Sequence, residues 1–387
     1  MRVLFVDDEV RVLEALERML FEIETDWETT FLTAGDLALA ELARTPYDVI
    51  VSDLRMPGID GVGLLTRVSE LYPRMVRIVL SGHSDEEAAL KMVLVAHQFL
   101  AKPCGAETLH QVIARTQQLT LLLPDKKLQT LAGQVRALPS VPHHLQELLR
   151  LAENDDANVS VASMARLIKQ DPALTCKLLQ VASSAFFNSS ASVSDVESAV
   201  MRLGFRTLKN LALTLGAAAA PARPSALPTI TAIQAAQTRS LAIARLASGM
   251  ARLPEDASAA YMAGLLCEVG QLVLEVSAPE RLYVTQAEAA QRGTPTHVAE
   301  LQTWGVTHAE IGAYLLGLWG LPFQIVEAVA NHHAPARGTD DRLGLAQLVW
   351  LASCIVENEE PTTELLSRFG VEELYVTHRR KFQERKP

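Results

Sequence analysis

Asp48-Val49-Ile50-Val51-Ser52-Asp53 is the stretch that decides the fold of the first third of this chain. Its β-branched run, followed by the turn Met56-Pro57-Gly58, predicts a strand buried on both faces, as in parallel sheets. Asp53 would then lie at the carboxyl end of the strand, where open α/β sheets bind their ligands. We therefore take Asp53 as the first candidate functional residue.

Short apolar strands and amphipathic helices alternate around this stretch, from residue 3 to about 121. The predicted strands are 3–6, 28–33, 48–52, 76–80 and 98–101, and the predicted helices are about 10–23, 35–45, 60–71, 84–96 and 105–121. Five β/α units imply a parallel sheet covered by helices on both faces. If the first and third strands are neighbours, as in the flavodoxin-like order, Asp7 and Asp8 converge with Asp53.

Three converging carboxylates repel one another unless a cation lies between them. Two carboxylates, a backbone carbonyl and waters suit Mg²⁺, which favours phosphate oxygens. Ser81 and Lys102 end the fourth and fifth predicted strands, so a hydroxyl and an ammonium reach the same edge. This set suits an aspartate that is transiently phosphorylated, because the metal and the lysine offset the charge of the incoming phosphoryl group.

Four phrases make the first third resemble the receiver domain of response regulators. They are Val6-Asp7-Asp8-Glu9, Ser52-Asp53-Leu54-Arg55-Met56-Pro57-Gly58, Leu80-Ser81-Gly82-His83 and Ala101-Lys102-Pro103. The resemblance implies that a sensor histidine kinase phosphorylates Asp53, and that Ser81 and Lys102 contact the phosphoryl group. It assigns Mg²⁺ to Asp8, Asp53 and the Arg55 carbonyl, with Asp7 supporting the ion through water. Phe99 falls at the family's rotating aromatic switch, although plain packing would fit it equally well.

A change of pattern follows the predicted receiver, to which we assign residues 1–122. Residues 123–137 predict a short, partly helical linker, interrupted near Pro124. The leucines of 119–131 fit the last turn of a core helix and a seam against another subunit equally well. From Leu138 onward the strands disappear, and long amphipathic helices predict an all-α region in which 217–228 forms a loop.

Several phrases of this all-α region resemble the HDOD domain, a relative of the HD-type metal phosphohydrolases. They are Leu138-Pro139-Ser140-Val141-Pro142, Ile168-Lys169-Gln170-Asp171-Pro172, Ala199-Val200-Met201-Arg202-Leu203-Gly204, Ala263-Gly264-Leu265-Leu266-Cys267-Glu268-Val269-Gly270, and the run from Gly305 to His333. We assign the domain to 138–336 and a C-terminal helical extension to 337–387.

The residues at the HD ligand positions argue against hydrolysis. An HD hydrolase needs two imidazoles and two carboxylates for a divalent metal that activates water. Here Arg239 falls near the first histidine position, Cys267-Glu268 replaces the His-Asp pair, and Ser353 falls near the distal aspartate. Gln271 stands where catalytic relatives often carry lysine. We therefore predict no enzyme activity and no cofactor in this domain, with Arg239 pairing to Glu268.

Four further histidines, His297, His308, His332 and His333, invite a metal hypothesis. Consecutive histidines point about 100° apart on a helix, and no carboxylate lies four residues away from them. Glu300 and Glu310 are the nearest candidates. We therefore predict structural, hydrogen-bonded histidines in preference to metal ligands.

Composition limits the partners of the chain. A length of 387 residues suits two domains, and a net charge of −10 disfavours general attraction to nucleic acid or to anionic membranes. The basic tail 378–386 fits the dipole of a final helix and does not resemble a helix-turn-helix reader. The four cysteines are scattered, which favours a reducing, cytoplasmic compartment. The sequence shows no signal peptide and no apolar run as long as about 18 residues, so we expect a soluble protein.

Together these features predict a two-component response regulator whose phosphorylation on Asp53 controls a non-catalytic HDOD output that binds other signalling proteins. Family resemblance adds a homodimer through the predicted helices 84–96 and 105–121. One alternative is a metal-dependent phosphohydrolase of cyclic dinucleotides or nucleotides. The other is a nucleotide-sensing or DNA-binding regulator.

Overall fold

Five parallel strands form the sheet of the first third. The computed structural model describes residues 1–23, 25–82, 92–153, 160–184, 193, 195–218, 230–335 and 343–384. The strands are β1 (Arg2–Val6), β2 (Glu28–Leu32), β3 (Val49–Asp53), β4 (Val76–Ser81) and β5 (Gln98–Ala101). Their order is β2-β1-β3-β4-β5, so the flavodoxin-like order is confirmed. Every residue of β3 and β4 is buried, which explains why both strands are mostly apolar, with Ser52 in β3 and Arg77 in β4 as buried polar residues before the strand ends.

Four helices flank this sheet among the described residues: α1 (Val10–Glu22), α2 (Gly35–Leu42), α3 (Gly61–Leu71) and α4 (Ala106–Leu122). Their positions agree with the predicted helices, with ends that differ by at most three residues. The predicted helix 84–96 falls mostly on 83–91, outside the described residues.

The linker contains one helix, α5 (Lys126–Gly133), capped by the side chain of Asp125. Leu119 and Leu128 are buried, whereas Leu121 is 82% exposed. A methyl group at Gly317, in the helical region, would meet the side chain of Leu119 at 2.2 Å. The apolar face of α4 therefore packs against the helical region of the same chain.

The described residues after the linker are mainly helical, as predicted. Its helices are α6 (Pro142–Glu153), α7 (Val161–Ile168), α8 (Pro172–Ala182), α9 (Val196–Ala218), α10 (Ile230–Met250), α11 (Pro254–Leu266), α12 (Val269–Ser277), α13 (Pro279–Arg292), α14 (Thr296–Trp304), α15 (His308–Leu318), α16 (Phe323–Ala330), α17 (Leu345–Glu357), α18 (Thr363–Phe369) and α19 (Glu372–Glu384). Most of the predicted loop 217–228 lies outside the described residues. Helix α17, in the predicted extension, packs on α10, α11 and α16.

A close crossing of α12 and α15 fixes the middle of the helical region. A Cβ atom at Gly270 would lie 1.9 Å from the carbonyl oxygen of His308 and 2.8 Å from the backbone nitrogen of Gly312. Only backbone fits between the two helices at this point, so the crossing depends on glycine.

We expect Gly270→Ala to lower the free energy of unfolding by about 1–3 kcal/mol, because the added methyl must push α12 and α15 apart. The matched control is Gly249→Ala in α10, where an added methyl meets nothing within 4 Å. That change should be neutral or stabilising by up to about 1 kcal/mol. Denaturant unfolding of the full chain measures both, and equal midpoints for the two variants would contradict the close crossing.

One stretch, Asp256–Ser277, is long and apolar enough to cross a membrane by length and composition alone. It spans two helices, α11 and α12, and 78% of its most apolar window is buried inside the protein. The burial indicates that this stretch is part of the protein core.

Candidate functional site

Three carboxylates meet at the carboxyl edge of the sheet. Asp7 follows β1, Asp53 ends β3, and one oxygen from each of Asp7, Asp8 and Asp53 lies within 4.8 Å of the others. Asp7 and Asp53 are buried, and Asp8 is exposed. The neighbouring positions of β1 and β3 in the sheet bring these side chains together.

Lys102 bridges two of these carboxylates. Its Nζ atom lies 2.6 Å from Asp7 Oδ2 and 2.6 Å from Asp53 Oδ1. Burial favours the neutral lysine, but the hydrogen bonds to Asp53 and Asp7 outweigh it and raise the pKa of Lys102. Burial also raises the pKa of Asp7, because the hydrogen bond from Lys102 only partly offsets the loss of solvation. With three carboxylates and one lysine, the edge has more negative charge than the lysine balances.

Backbone groups hold the ends of β1 and β3 in place. The N–H of Arg55 donates to Asp53 Oδ2 at 3.3 Å, and the N–H of Glu9 donates to Asp7 Oδ1 at 3.0 Å. A Cβ atom at Gly61 would lie 2.1 Å from the Asp53 carbonyl oxygen, so the start of α3 packs directly on the end of β3. The Arg55 N–H thus holds the Asp53 side chain, and the start of α3 holds the Asp53 backbone.

Ser81 and Phe99 come from the next two strands. Ser81 ends β4 and is 1% exposed, and its hydroxyl donates to the Gly82 carbonyl at 3.2 Å. Phe99, in β5, is also buried. The predicted receiver residues thus lie on the strands and at the strand ends that the sequence indicated, while their roles stay predictions.

The donors at this edge fit Mg²⁺, because three carboxylates within reach of one ion supply the hard oxygen ligands that it prefers. Asp8, Asp53 and the Arg55 carbonyl would hold the ion, with Asp7 beside it. When bound, the ion would supply positive charge toward the oxygens of a phosphoryl group.

A contact that sequence reasoning missed joins the sheet to the helical region. Lys177 in α8 donates to the Val93 carbonyl at 3.0 Å and to Gln180 Oε1 at 2.8 Å, and its ammonium lies 3.9 Å from the centre of the Trp319 ring. Gln180 in turn donates to the carbonyls of His97 and Ala96, at 3.0 and 3.2 Å. These bonds link α8 to the segment that leads into β5.

Of the positions expected for HD ligands, Arg239 and Glu268 lie in contact in the helical region, together with Gln271. Arg239 Nη2 lies 3.3 Å from Glu268 Oε2 and donates to Gln271 Oε1 at 2.8 Å. Cys267 is fully buried, and its thiol donates to the Gly264 carbonyl. Ser353 is buried in α17, and its hydroxyl has no hydrogen-bond partner among the described residues.

The histidines lie closer together than their sequence positions suggest. His332 and His333 follow α16, which ends at Ala330, so the assumption that they share a helix is wrong. Their rings are 4.0 Å apart, and His308 Nε2 lies 3.1 Å from His333 Nε2. The turn after α16 and the start of α15 bring the imidazoles together. No spacing along the chain could have revealed this cluster.

A cavity of about 430 Å³ opens beside these histidines. Glu357 and Glu359 line it together with His297 and His333. Burial, together with the nearby charges of Glu268 and Glu359, raises the pKa of Glu357 to about 8. Carboxylates are therefore crowded into this cavity.

A five-stranded parallel sheet with three carboxylates and a lysine at one edge, joined to a helical region, is the arrangement expected of a receiver domain followed by an HDOD domain. The chain belongs to the HDOD family, because the HDOD domain model matches residues 138–335. The response regulator receiver domain model matches residues 3–114.

Individual relatives match parts of this arrangement. An uncharacterized protein of Treponema pallidum is 30% identical over 253 residues, which are 63% of this chain and 48% of that protein. The hydrogenase transcriptional regulatory protein HoxA of Cupriavidus necator is 43% identical over 103 residues, which are 26% of this chain and 21% of HoxA. The chain thus spans about half or less of the length of these relatives.

Among solved structures, the MmoQ response regulator from Methylococcus capsulatus is 23% identical, with a TM-score of 0.46. The similarity covers 62% of this chain and 97% of that one.

Proposed function

We propose that this chain is a cytoplasmic two-component response regulator that a sensor histidine kinase phosphorylates on Asp53 with the help of Mg²⁺. The observation that carries the proposal is the bridge from Lys102 Nζ to Asp7 and Asp53, at 2.6 Å each. A lysine held beside one reactive carboxylate, with the buried Ser81 on the neighbouring strand, suits a phosphoryl group that arrives and leaves.

The HDOD region is proposed as the output, acting by binding other signalling proteins and without catalysis of its own. Arg239, Cys267 and Ser353 at the HD positions support this view, since none of them supplies an imidazole or carboxylate of a hydrolytic centre. The carboxylate at these positions, Glu268, lies 3.3 Å from the Arg239 guanidinium. HoxA is named a transcriptional regulator, but it is matched over a receiver-sized segment only. Its name therefore adds no support for DNA binding by this chain.

The contact between α8 and the segment before β5 suggests how the signal passes. Lys102, at the far end of β5, would turn from Asp53 and Asp7 toward the new phosphoryl oxygens. A phosphoryl group adds about −1.5 to −2 charges, which is enough to favour one of two receiver conformations. Movement of β5 would then alter the bonds that Lys177 and Gln180 make to Val93, Ala96 and His97. We also propose that the receiver ends at residue 122, the linker at 137 and the HDOD domain at 336. A homodimer is part of the same proposal.

We expect wild-type chain treated with acetyl phosphate and Mg²⁺ to retain a different set of proteins from an extract of its native host than Asp53→Asn does. Quantitative mass spectrometry of the retained proteins makes the comparison. The matched control is Asp60→Asn, an exposed change at the cap of α3, which should behave as wild type. Identical sets for wild type and Asp53→Asn would contradict a phosphorylation-controlled output.

A further inference from the structure

Four side chains of the HDOD region point one donor atom each at a common centre. They are Glu268, His308, His332 and His333, and one donor atom from each lies within 4.8 Å of the others. Glu268 precedes α12, His308 begins α15, and the two other histidines follow α16. Three separate elements therefore supply the cluster. Of its members, only Glu268 stands at a position that the resemblance assigns to HD ligands.

Two of these donor atoms are buried without hydrogen-bond partners. Glu268 and His332 are both fully buried, and among the described residues Glu268 Oε1 and His332 Nε2 make no hydrogen bond. The other carboxylate oxygen, Glu268 Oε2, is the one that faces Arg239. A buried polar atom without a partner costs about 1–3 kcal/mol, and the cost is larger for a charged group. Glu268 Oε1 still lies 3.5 Å from His308 Nε2, within ion-pair distance, so His332 Nε2 is the atom that points most directly to a missing ligand.

The imidazoles are already oriented as metal ligands. His332 Nδ1 lies 2.7 Å from the Val329 carbonyl, which can only accept, so Nδ1 carries the proton and Nε2 faces the cluster. His308 Nδ1 lies 2.7 Å from Glu300 Oε2, and this carboxylate also accepts from the His308 backbone N–H at 2.8 Å. A carbonyl or carboxylate behind the ring is the arrangement that orients metal-bound histidines in proteins.

The distances between the donors fit a single small cation. Four ligands at about 2.0–2.1 Å from zinc in a tetrahedron lie about 3.3 Å from one another. The His308 and His333 Nε2 atoms are 3.1 Å apart, and Glu268 Oε1 lies 3.5 Å from His308 Nε2 and 3.8 Å from His332 Nε2. Small movements of the side chains would bring all four donors into contact with one ion.

We propose that Glu268, His308, His332 and His333 form a four-coordinate site for a divalent transition metal, with zinc as the ion that fits best. Three imidazoles and one carboxylate favour zinc over Mg²⁺, which prefers oxygen ligands. Because all four ligands come from the protein, the ion would be structural and would tie α12, α15 and the turn after α16 together. The proposal departs from the sequence-based expectation of no cofactor in this domain, and leaves the proposed receiver function unchanged.

The test measures zinc directly. Full-length chain purified without a histidine tag is expected to hold about one zinc per chain by elemental analysis, and Co²⁺ in its place should give the visible absorption of a tetrahedral complex. Competition with a chromophoric chelator measures affinity. Glu268→Gln and His333→Gln should each weaken zinc binding by more than about 100-fold, since even partners behind the ligands typically contribute about 10- to 100-fold.

Two controls separate this site from other sources of zinc binding. His143→Gln removes an exposed histidine, and Asp53→Asn removes a carboxylate of the receiver edge, so both should bind zinc as wild type does. Circular dichroism checks that each variant is folded. If Glu268→Gln fails to fold, the more peripheral His333→Gln carries the test. The proposal is wrong if folded wild type binds no zinc. It is also wrong if Glu268→Gln and His333→Gln both bind zinc as tightly as wild type does.

Discussion

Asp53→Asn is expected to abolish labelling of the full chain by acetyl phosphate with Mg²⁺, or by a cognate kinase. The substitution keeps the size of the side chain, but an amide cannot act as the carboxylate nucleophile that accepts a phosphoryl group. Lys102 contacts both Asp53 and Asp7, but Asp53, at the end of β3, is the one at the phosphoacceptor position that the receiver resemblance assigns. Asp7 and Asp8 should therefore not replace it. The label on the intact protein is measured before and after acid treatment, so that acid-stable and acid-labile label are counted separately.

Asp60→Asn provides the matched control for this labelling experiment. Asp60 is exposed, lies seven residues after Asp53, and caps α3 by accepting from the Gly63 N–H at 2.8 Å. Asparagine caps helices about as well as aspartate does, so this variant should be labelled as wild type. Persistent labelling of Asp53→Asn would mean that the acceptor is misassigned.

The buried side chain of Lys177 is expected to make the free energy of unfolding depend strongly on pH. The side chain is 2% exposed, and burial lowers the pKa of Lys177 to about 7 from an ordinary value of 10.5. Between these two values the unfolded chain keeps a proton that the folded chain has released. The unfolded state therefore binds more protons, and the contribution of Lys177 to stability rises with pH across this window. Below pH 7 the lysine is protonated in both states, and the full cost of burying its charge applies.

We therefore expect the free energy of unfolding of wild type, relative to Lys177→Met, to increase by roughly 3 kcal/mol between pH 7 and pH 9.5, at about 1.4 kcal/mol per pH unit. Denaturant unfolding of both proteins across this range measures the difference. Lys126→Met, which removes an exposed lysine at the start of α5, controls for the loss of charge. A difference between wild type and Lys177→Met that does not change with pH would mean that the lysine stays charged, held by Trp319 and the carbonyl of Val93.

The strands were predictable from the sequence to within one residue. Strands β3 and β4 are buried on both faces, so their runs of apolar residues end abruptly at Asp53 and Ser81. The turns that carry the polar side chains come directly after these runs, and parallel strands place such turns at one edge. The grouping of Asp7, Asp53 and Lys102 follows from these local patterns and the strand order.

The contacts of the helical region were not predictable in the same way. His308 and Glu268 are 40 positions apart, and they meet because α12 and α15 cross closely at Gly270. The prediction treated His332 and His333 as neighbours on a helix, whereas the helix stops at Ala330 and the following turn directs both rings inward. Amphipathic periodicity shows which face of a helix is buried, but not which other helix that face meets.

The sequence by itself determined a receiver sheet with its carboxylates, serine and lysine at one edge, followed by an HDOD region. It also predicts that the HD ligand positions of this region are altered. Those features depend on residues near one another in the chain or on a strand order shared by the fold. Only the tertiary structure decided that Lys177 joins α8 to the segment before β5, and that Glu268 and three histidines surround one centre. The physical reason is that helix packing brings together side chains whose separation along the chain leaves no periodic signal.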